Sequence, residues 1–167
     1  GYMLGDYVRD KDAVTASMML TEMAAWYAAQ GMTLFDALEK LYEKYGYYAE
    51  KTHNLVMPGL DGLKDMAELM KNLRENPPAD IGGVKVVTRK DYSNGSVVDC
   101  ATGETSTMEL SGSNVLRFEL ADGTSVIVRP SGTEPKIKVY ILTRGADAAA
   151  CAANLEKYGQ WVAGLKK

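Results

Sequence analysis

Apolar residues recur at helical spacing over the first part of this chain and alternate with polar ones over most of the remainder. Val14, Met18, Met19, Met23 and Trp26 share one helical stripe, predicting a helix that Asp10 or Asp12 caps, that runs to about Gln30 and that Gly31 stops. Thr33 starts a second helix, with Leu34, Leu38, Leu41, Tyr42 and Tyr45 on one face and Gly46 at its end. Residues 47–57 carry a weak strand pattern. Over 61–74, Leu63, Met66, Ala67, Met70 and Leu73 make a third apolar stripe. The Met18, Met19 and Met23 group is expected in a core, where flexible thioethers fill gaps.

Alternation then takes over. Strand character marks 84–92, 96–101, 104–110, 115–120, 124–128 and 137–143. Asn94-Gly95 and Asp122-Gly123 sit between strands as tight-hairpin signals, because glycine supplies the positive φ such turns require; Thr102-Gly103 marks a third turn. Residues 147–165 return to a helix with Cys151, Leu155, Tyr158, Val162 and Leu165 along one face. The expected fold class is α+β: a helical N-terminal part, then an antiparallel sheet with helix packed on one face.

Residue usage changes at the same place. Eight of the nine methionines precede residue 75, whereas ten of the thirteen valines follow residue 80. Pro77-Pro78 lies at the change and cannot continue a helix, so the predicted division is 1–78 and 79–167. Formal charge is −4 over the first stretch and +1 over the second.

The whole chain has 167 residues, 46% hydrophobic and 25% charged, with a net charge of −3. Those figures suit a folded globular protein and argue against disorder. A net acidic chain lacks the basic face that a nucleic-acid partner demands. No apolar run reaches the roughly 20 residues of a membrane span, and no secretory leader is visible, so the expected location is the cytoplasm. Cys100 and Cys151 are not closely spaced, which suggests neither a disulfide framework nor a zinc site. The chain opens Gly1-Tyr2 without an initiator Met, as a piece of a longer protein would.

Candidate chemistry concentrates in Arg129-Pro130-Ser131-Gly132-Thr133-Glu134-Pro135-Lys136-Ile137-Lys138. A strand ends at Arg129, a loop of small residues follows, and a strand resumes near Lys136. Ser131 and Thr133 bring hydroxyl donors, and Gly132 allows close backbone approach. Successive N–H groups in a turn can cup phosphate oxygens, and a guanidinium at Arg129 can grip two of them. The period of two puts Lys136, Lys138 and Tyr140 on one face and Ile137, Val139 and Ile141 on the other. A plain hairpin connection with surface basic residues fits the same letters, because turn residues are also phosphate residues. Glu134 is the wrong charge beside a dianion.

The run RPSGTEPKIKVY resembles the phosphate-binding loop and following strand of the C-terminal domain of bacterial phosphoglucomutase/phosphomannomutase enzymes, in the α-D-phosphohexomutase superfamily. Ser113-Asn114-Val115-Leu116 and Asp122-Gly123-Thr124 are similar to the hairpin before that loop. Gly1-Tyr2 and Val8-Arg9-Asp10-Lys11-Asp12-Ala13 resemble the segment after the sugar-recognition loop of the third domain. The likeness implies that 1–78 is the C-terminal part of domain 3 plus a linker, and that 79–167 is domain 4, with a fold of the TATA-binding-protein type and no DNA function.

It further implies an enzyme interconverting hexose 1-phosphate and hexose 6-phosphate through a hexose 1,6-bisphosphate intermediate. The phosphoserine, the Mg2+ loop and the sugar-reading loop of such enzymes match nothing here, so this piece alone is expected to be inactive, with no catalytic or metal residue of its own. Its implied part is to hold the non-reacting phosphate of a phosphorylated hexose through Arg129, Ser131, Gly132, Thr133 and Lys138. The alternative is a stand-alone module that binds a phosphometabolite or a protein without chemistry. Met-rich helix faces lacking their sheet also predict self-association.

Other residues have plainer readings. His53, the single histidine, is expected to be a surface or strand residue. Asp10 and Asp12 mimic a metal pair, but on a helix they would point roughly 200° apart, and helix entry explains them better.

Overall fold

The structure is a computed structural model that describes residues 4–7 and 10–165. The resemblance noted at Gly1-Tyr2 and at Val8-Arg9 lies outside the described residues. The chain forms two compact units, Gly1–Gly46 and Tyr47–Lys167.

The first unit holds α1 (Ala13–Ala28) and α2 (Leu34–Tyr45). Asp12 caps α1 by accepting from the Val14 and Thr15 amides at 3.0 and 3.2 Å. Thr33 caps α2 in a reciprocal box with Asp36. Both helices form where their caps and stripes predict. Their apolar faces do not become a core. No residue of α1 is buried, α2 buries only Ala37, and Met18 and Met23 are exposed with Met19 half-buried. The expectation that those methionines pack inside is therefore corrected: a helix pair with no second layer beneath it leaves its stripe in solvent.

The second unit contains β1 (Tyr47–Val56), α3 (Gly62–Glu75), β2 (Asp80–Ile81), β3 (Val84–Asp91), β4 (Ser96–Asp99), β5 (Thr105–Thr107), β6 (Leu116–Leu120), β7 (Ser125–Pro130), β8 (Lys136–Gly145) and α4 (Ala148–Gly164). The strands form one antiparallel sheet in the order β1-β8-β7-β6-β3-β4-β5, with β2 paired to β3. Gly95 and Gly123 take φ of +76° and +82° in the Asn-Gly and Asp-Gly turns, as those dipeptides require.

The weak pattern over 47–57 becomes a ten-residue strand paired with β8 from Tyr47↔Gly145 to Val56↔Lys136. Its inward positions include His53 and Leu55, of which only Leu55 is buried, so the alternation is faint in the letters. α3 adds Met66, Met70 and Leu73 to the same core as Phe118, Val128 and Ile137. Compact packing divides the chain after Gly46, because β1 and α3 help to close the sheet's own core. On the sheet side, Ile137, Val139 and Ile141 are fully buried while Lys136, Lys138 and Tyr140 are not, as the period of two demands. From α4, Tyr158 is fully buried and gives its hydroxyl to Asp122 in the β6–β7 turn. Burial, then that carboxylate, holds the phenol above its usual pKa range.

Candidate functional site

Residues 131–135 join β7 to β8, and two backbone bonds pinch them closed: the Ser131 amide donates to the Lys136 carbonyl at 2.8 Å and the Lys136 amide to that of Glu134 at 2.7 Å. The far side of the loop is tied to β1 and α3. The Met57 amide donates to the Pro135 carbonyl at 2.8 Å. Gly62 opens α3 directly against this tie, where a Cβ would lie 2.2 Å from the Met57 carbonyl oxygen and 3.1 Å from Pro135 Cβ. Glycine is required there by contact.

The pinched loop leaves donors over. Among the described residues the amides of Gly132 and Glu134 have no hydrogen-bond acceptor, and the Thr133 amide reaches only the Ser131 hydroxyl, at 3.5 Å. Nothing lies within 4 Å of where a Gly132 Cβ would stand, so the bend opens to solvent. Successive amides of this kind can cup an anion where the turn aims them together.

Strand register brings cations to its rim. Arg129 is directly opposite Lys138, and Lys138 is opposite Asn54 on its other side, so the three share the face away from the helices. Lys136, Arg117 and Lys90 lie on that face too, and each has a carboxylate neighbour. Lys136 pairs with Glu134, and Lys90 with Glu119 at 2.8 Å. Arg117 approaches Glu119 at 3.2 Å as a charge contact and gives an Nη2 hydrogen to the Ser125 hydroxyl at 3.1 Å. Arg129 and Lys138 make no ion pair among the described residues, and Arg129 is exposed. Two positive charges are therefore left free beside the free amides.

Glu134 is less adverse than its letter suggests. A hydrogen bond and charge from Lys136, with Lys138 further off, hold its carboxyl below the usual range, so its charge is answered locally. The structure thus brings Arg129, Ser131, Gly132, Thr133 and Lys138 to one rim. Sequence reasoning passed over Asn54, Met57 and Gly62, which border or brace it. Only the β1–β8 pairing reveals them, and nothing local in residues 54–62 announces that pairing. The described residues hold no group of three or more His, Cys, Asp or Glu able to ligate a metal. No described helix is long and apolar enough to cross a membrane.

Comparison with known proteins gives concordant results. Residues 54–154 match the family described as the phosphoglucomutase/phosphomannomutase C-terminal domain. The chain is similar to a phosphoglucomutase of Staphylococcus aureus (strain N315), with 37% identity over 147 residues, which are 88% of this chain and 26% of that protein. A phosphoglucomutase of the bovine RF122 / ET3-1 strain is 38% identical over 141 residues, 84% of this chain and 25% of its own length. The chain therefore spans about a quarter of the curated relatives it matches. Among solved structures, pp63/parafusin, a phosphoglucomutase from Paramecium in its open form, matches with a TM-score of 0.54 at 18% identity, over 95% of this chain and 28% of that one. At that identity the likeness speaks to fold.

Proposed function

We propose a function from one premise: the chain belongs to the phosphoglucomutase/phosphomannomutase family through that family's C-terminal domain. It is the C-terminal portion of a cytoplasmic phosphohexomutase that interconverts hexose 1-phosphate and hexose 6-phosphate, of glucose or mannose, by way of the 1,6-bisphosphate. α1 and α2 belong to the back of that enzyme's third domain. In this reading the stretch up to Pro78 completes that third domain and its linker, and the stretch after Pro78 is the fourth.

Phosphoryl transfer depends chiefly on positioning and on neutralising charge. While one phosphate reacts, the other must be held, in either orientation of the sugar. In this reading Arg129 grips that phosphate through its guanidinium and Lys138 adds a point charge. The Ser131 and Thr133 hydroxyls and the amides around Gly132 take the remaining oxygens. Binding free energy gathered at this remote group orients the reacting end. Magnesium, which the family implies, finds no fitting ligand cluster among the described residues, and no step here runs through it.

The observation that supports the reading most is an exposed Arg129 across the strand from Lys138, neither in an ion pair among the described residues, beside amides that find no acceptor among them. Titration of the chain with glucose 6-phosphate and with glucose 1-phosphate, followed at the Gly132 amide, tests it. Both are expected to bind weakly, and Arg129→Ala is expected to weaken binding about tenfold or more, the scale of a charged hydrogen bond. Unchanged binding in that variant would sink the assignment. The isolated chain is expected to show no mutase turnover, and measurable conversion of glucose 1-phosphate would overturn that.

Self-association follows from the first unit. Val14, Met18 and Trp26 stand exposed along α1, and apolar surface of that kind promotes association. Light scattering is expected to show a mass above one chain that rises with concentration; a monomer throughout would count against it.

A further inference from the structure

The helix-side face of the sheet carries a second, unassigned cationic feature, on the surface opposite Arg129 and Lys138. Arg89 in β3 is paired with Phe118 on one side and Val98 on the other, so its side chain shares the face of the buried Phe118. That is an unusual place for an arginine, and its Nε is buried without a hydrogen-bond partner among the described residues. A buried N–H with no acceptor is costly and calls for an explanation.

α4 packs on β8 and β1, and α3 reaches only as far as Leu73 and Arg74 beside β3. Where this helical layer ends, a cavity of about 290 Å³ remains, with Arg89 in its lining. Leu73, Pro77, Val98, Leu116 and Phe118 form apolar walls, and Ser96 supplies a hydroxyl. Arg74 also lines it but is committed: its Nε donates to Asp91 at 2.8 Å and its Nη2 to Asn114 at 2.6 Å. Lys90 faces the other side of the sheet, where it pairs with Glu119. Among the described residues Arg89 makes no ion pair, and the cavity beside it is walled by those apolar side chains together with Asn94, Ser96 and the Arg74–Asp91 pair.

We propose that this cavity is a binding site for a small monocarboxylate with an apolar body, whose carboxylate pairs with Arg89 and whose carbon chain rests on Val98, Leu116 and Phe118. The volume suits a ligand at the small end of the usual pocket range. A single free arginine matches one carboxylate, in the planar fork geometry that guanidinium favours. A phosphate dianion fits worse, because Asp91 stands at the same wall as a carboxylate. Burial opposes its ionisation, but hydrogen bonds from Arg74 and Ser93 outweigh that and keep it ionised below the usual carboxylate range. The site is independent of the phosphate-loop reading, with which it shares no residue.

Titration of the isotopically labelled chain with sodium butanoate, at constant ionic strength, tests the proposal by amide shifts. Saturable shifts at Ser96 and Val98 are expected, and butyramide, the neutral isostere, is expected to give none. Arg89→Gln is expected to lower butanoate affinity at least tenfold. Val98→Glu provides an independent check should Arg89→Gln fail to fold. It places the protein's own carboxylate opposite Arg89 and is expected to abolish the butanoate response. Inorganic phosphate is expected to move Gly132 and its neighbours and to leave Ser96 and Val98 unmoved. Non-saturating shifts, equal binding of butyramide, a full response in Arg89→Gln or Val98→Glu, or preferential binding of phosphate at Ser96 would each overturn the proposal.

Discussion

α1 and the central strands use similar side chains to opposite ends. Trp26 stands 61% exposed on α1, while Phe118 on β6 is 1% exposed and Val126, Val128, Ile137, Val139 and Ile141 lie wholly inside. Both regions follow their local rules. α1 has its cap and its stripe, and the strands have their turns and their alternation. What separates them is a second layer: α3 and α4 close one face of the sheet, whereas within the first unit α1 buries no described residue and α2 buries only Ala37. An amphipathic stripe therefore states what a helix is shaped to pack against; burial happens only when that surface is supplied.

The largest expected effect breaks or sharpens this contrast directly. Phe118→Ala should cost about 3–5 kcal/mol through lost burial and a residual cavity, while Trp26→Ala should change the stability of the dilute chain by less than about 0.5 kcal/mol. Urea denaturation followed by circular dichroism measures both. Equal losses would mean that α1 is covered in solution, and the contrast would fail. At high concentration Trp26→Ala should instead reduce the mass seen by light scattering.

A smaller effect probes how the sheet unit holds its loop. Gly62→Ala forces a methyl against the Met57 carbonyl, and overpacking of this kind costs about 1–3 kcal/mol. Because Met57 and Pro135 are tied together there, the variant should also weaken glucose 6-phosphate binding at the Gly132 amide. Stability loss with unaltered binding would show that the loop keeps its shape without this brace.

The smallest effect is a pH dependence confined to the sheet unit. His53 lies over Gly159 of α4, with its Nε2 buried and unpartnered. Burial first, then the charge of Lys51, pushes its pKa below the ordinary value, with Glu156 pulling the other way. The unfolded chain therefore binds this proton first as pH falls. The His53 contribution is fully present above about pH 6.5 and is lost as pH drops towards the lower folded value. A thermal melting series from pH 7.5 to 5 should decline over that window, and His53→Gln should flatten it. Asp91 and Asp122, both held below the usual carboxylate range, add a separate loss below about pH 4.

Much of this was legible in the letters. Asp122-Gly123 predicted its hairpin, β8 its two faces, and Cys151, Tyr158 and Val162 the buried side of α4. Arg129 and the small residues after it were visible as a candidate anion loop, because turn chemistry and phosphate chemistry share a vocabulary. The long partner of β8 was not legible: β1 is an edge strand whose inward positions include Lys51 and His53, so its alternation barely shows. Arg89 was likewise silent, since an arginine in a strand reads as outward until the pairing with Phe118 turns it in.

Local backbone chemistry sufficed for where the helices begin and where the tight hairpins turn, because caps, turn glycines and residue period act over a few bonds. Only the folded arrangement decided which stripe is buried, which cations are already paired, and that a tie from Met57 and Gly62 braces the loop some 70 residues away in sequence. Those outcomes depend on register between distant strands, and register is chosen by the summed packing of a whole face rather than by any one residue.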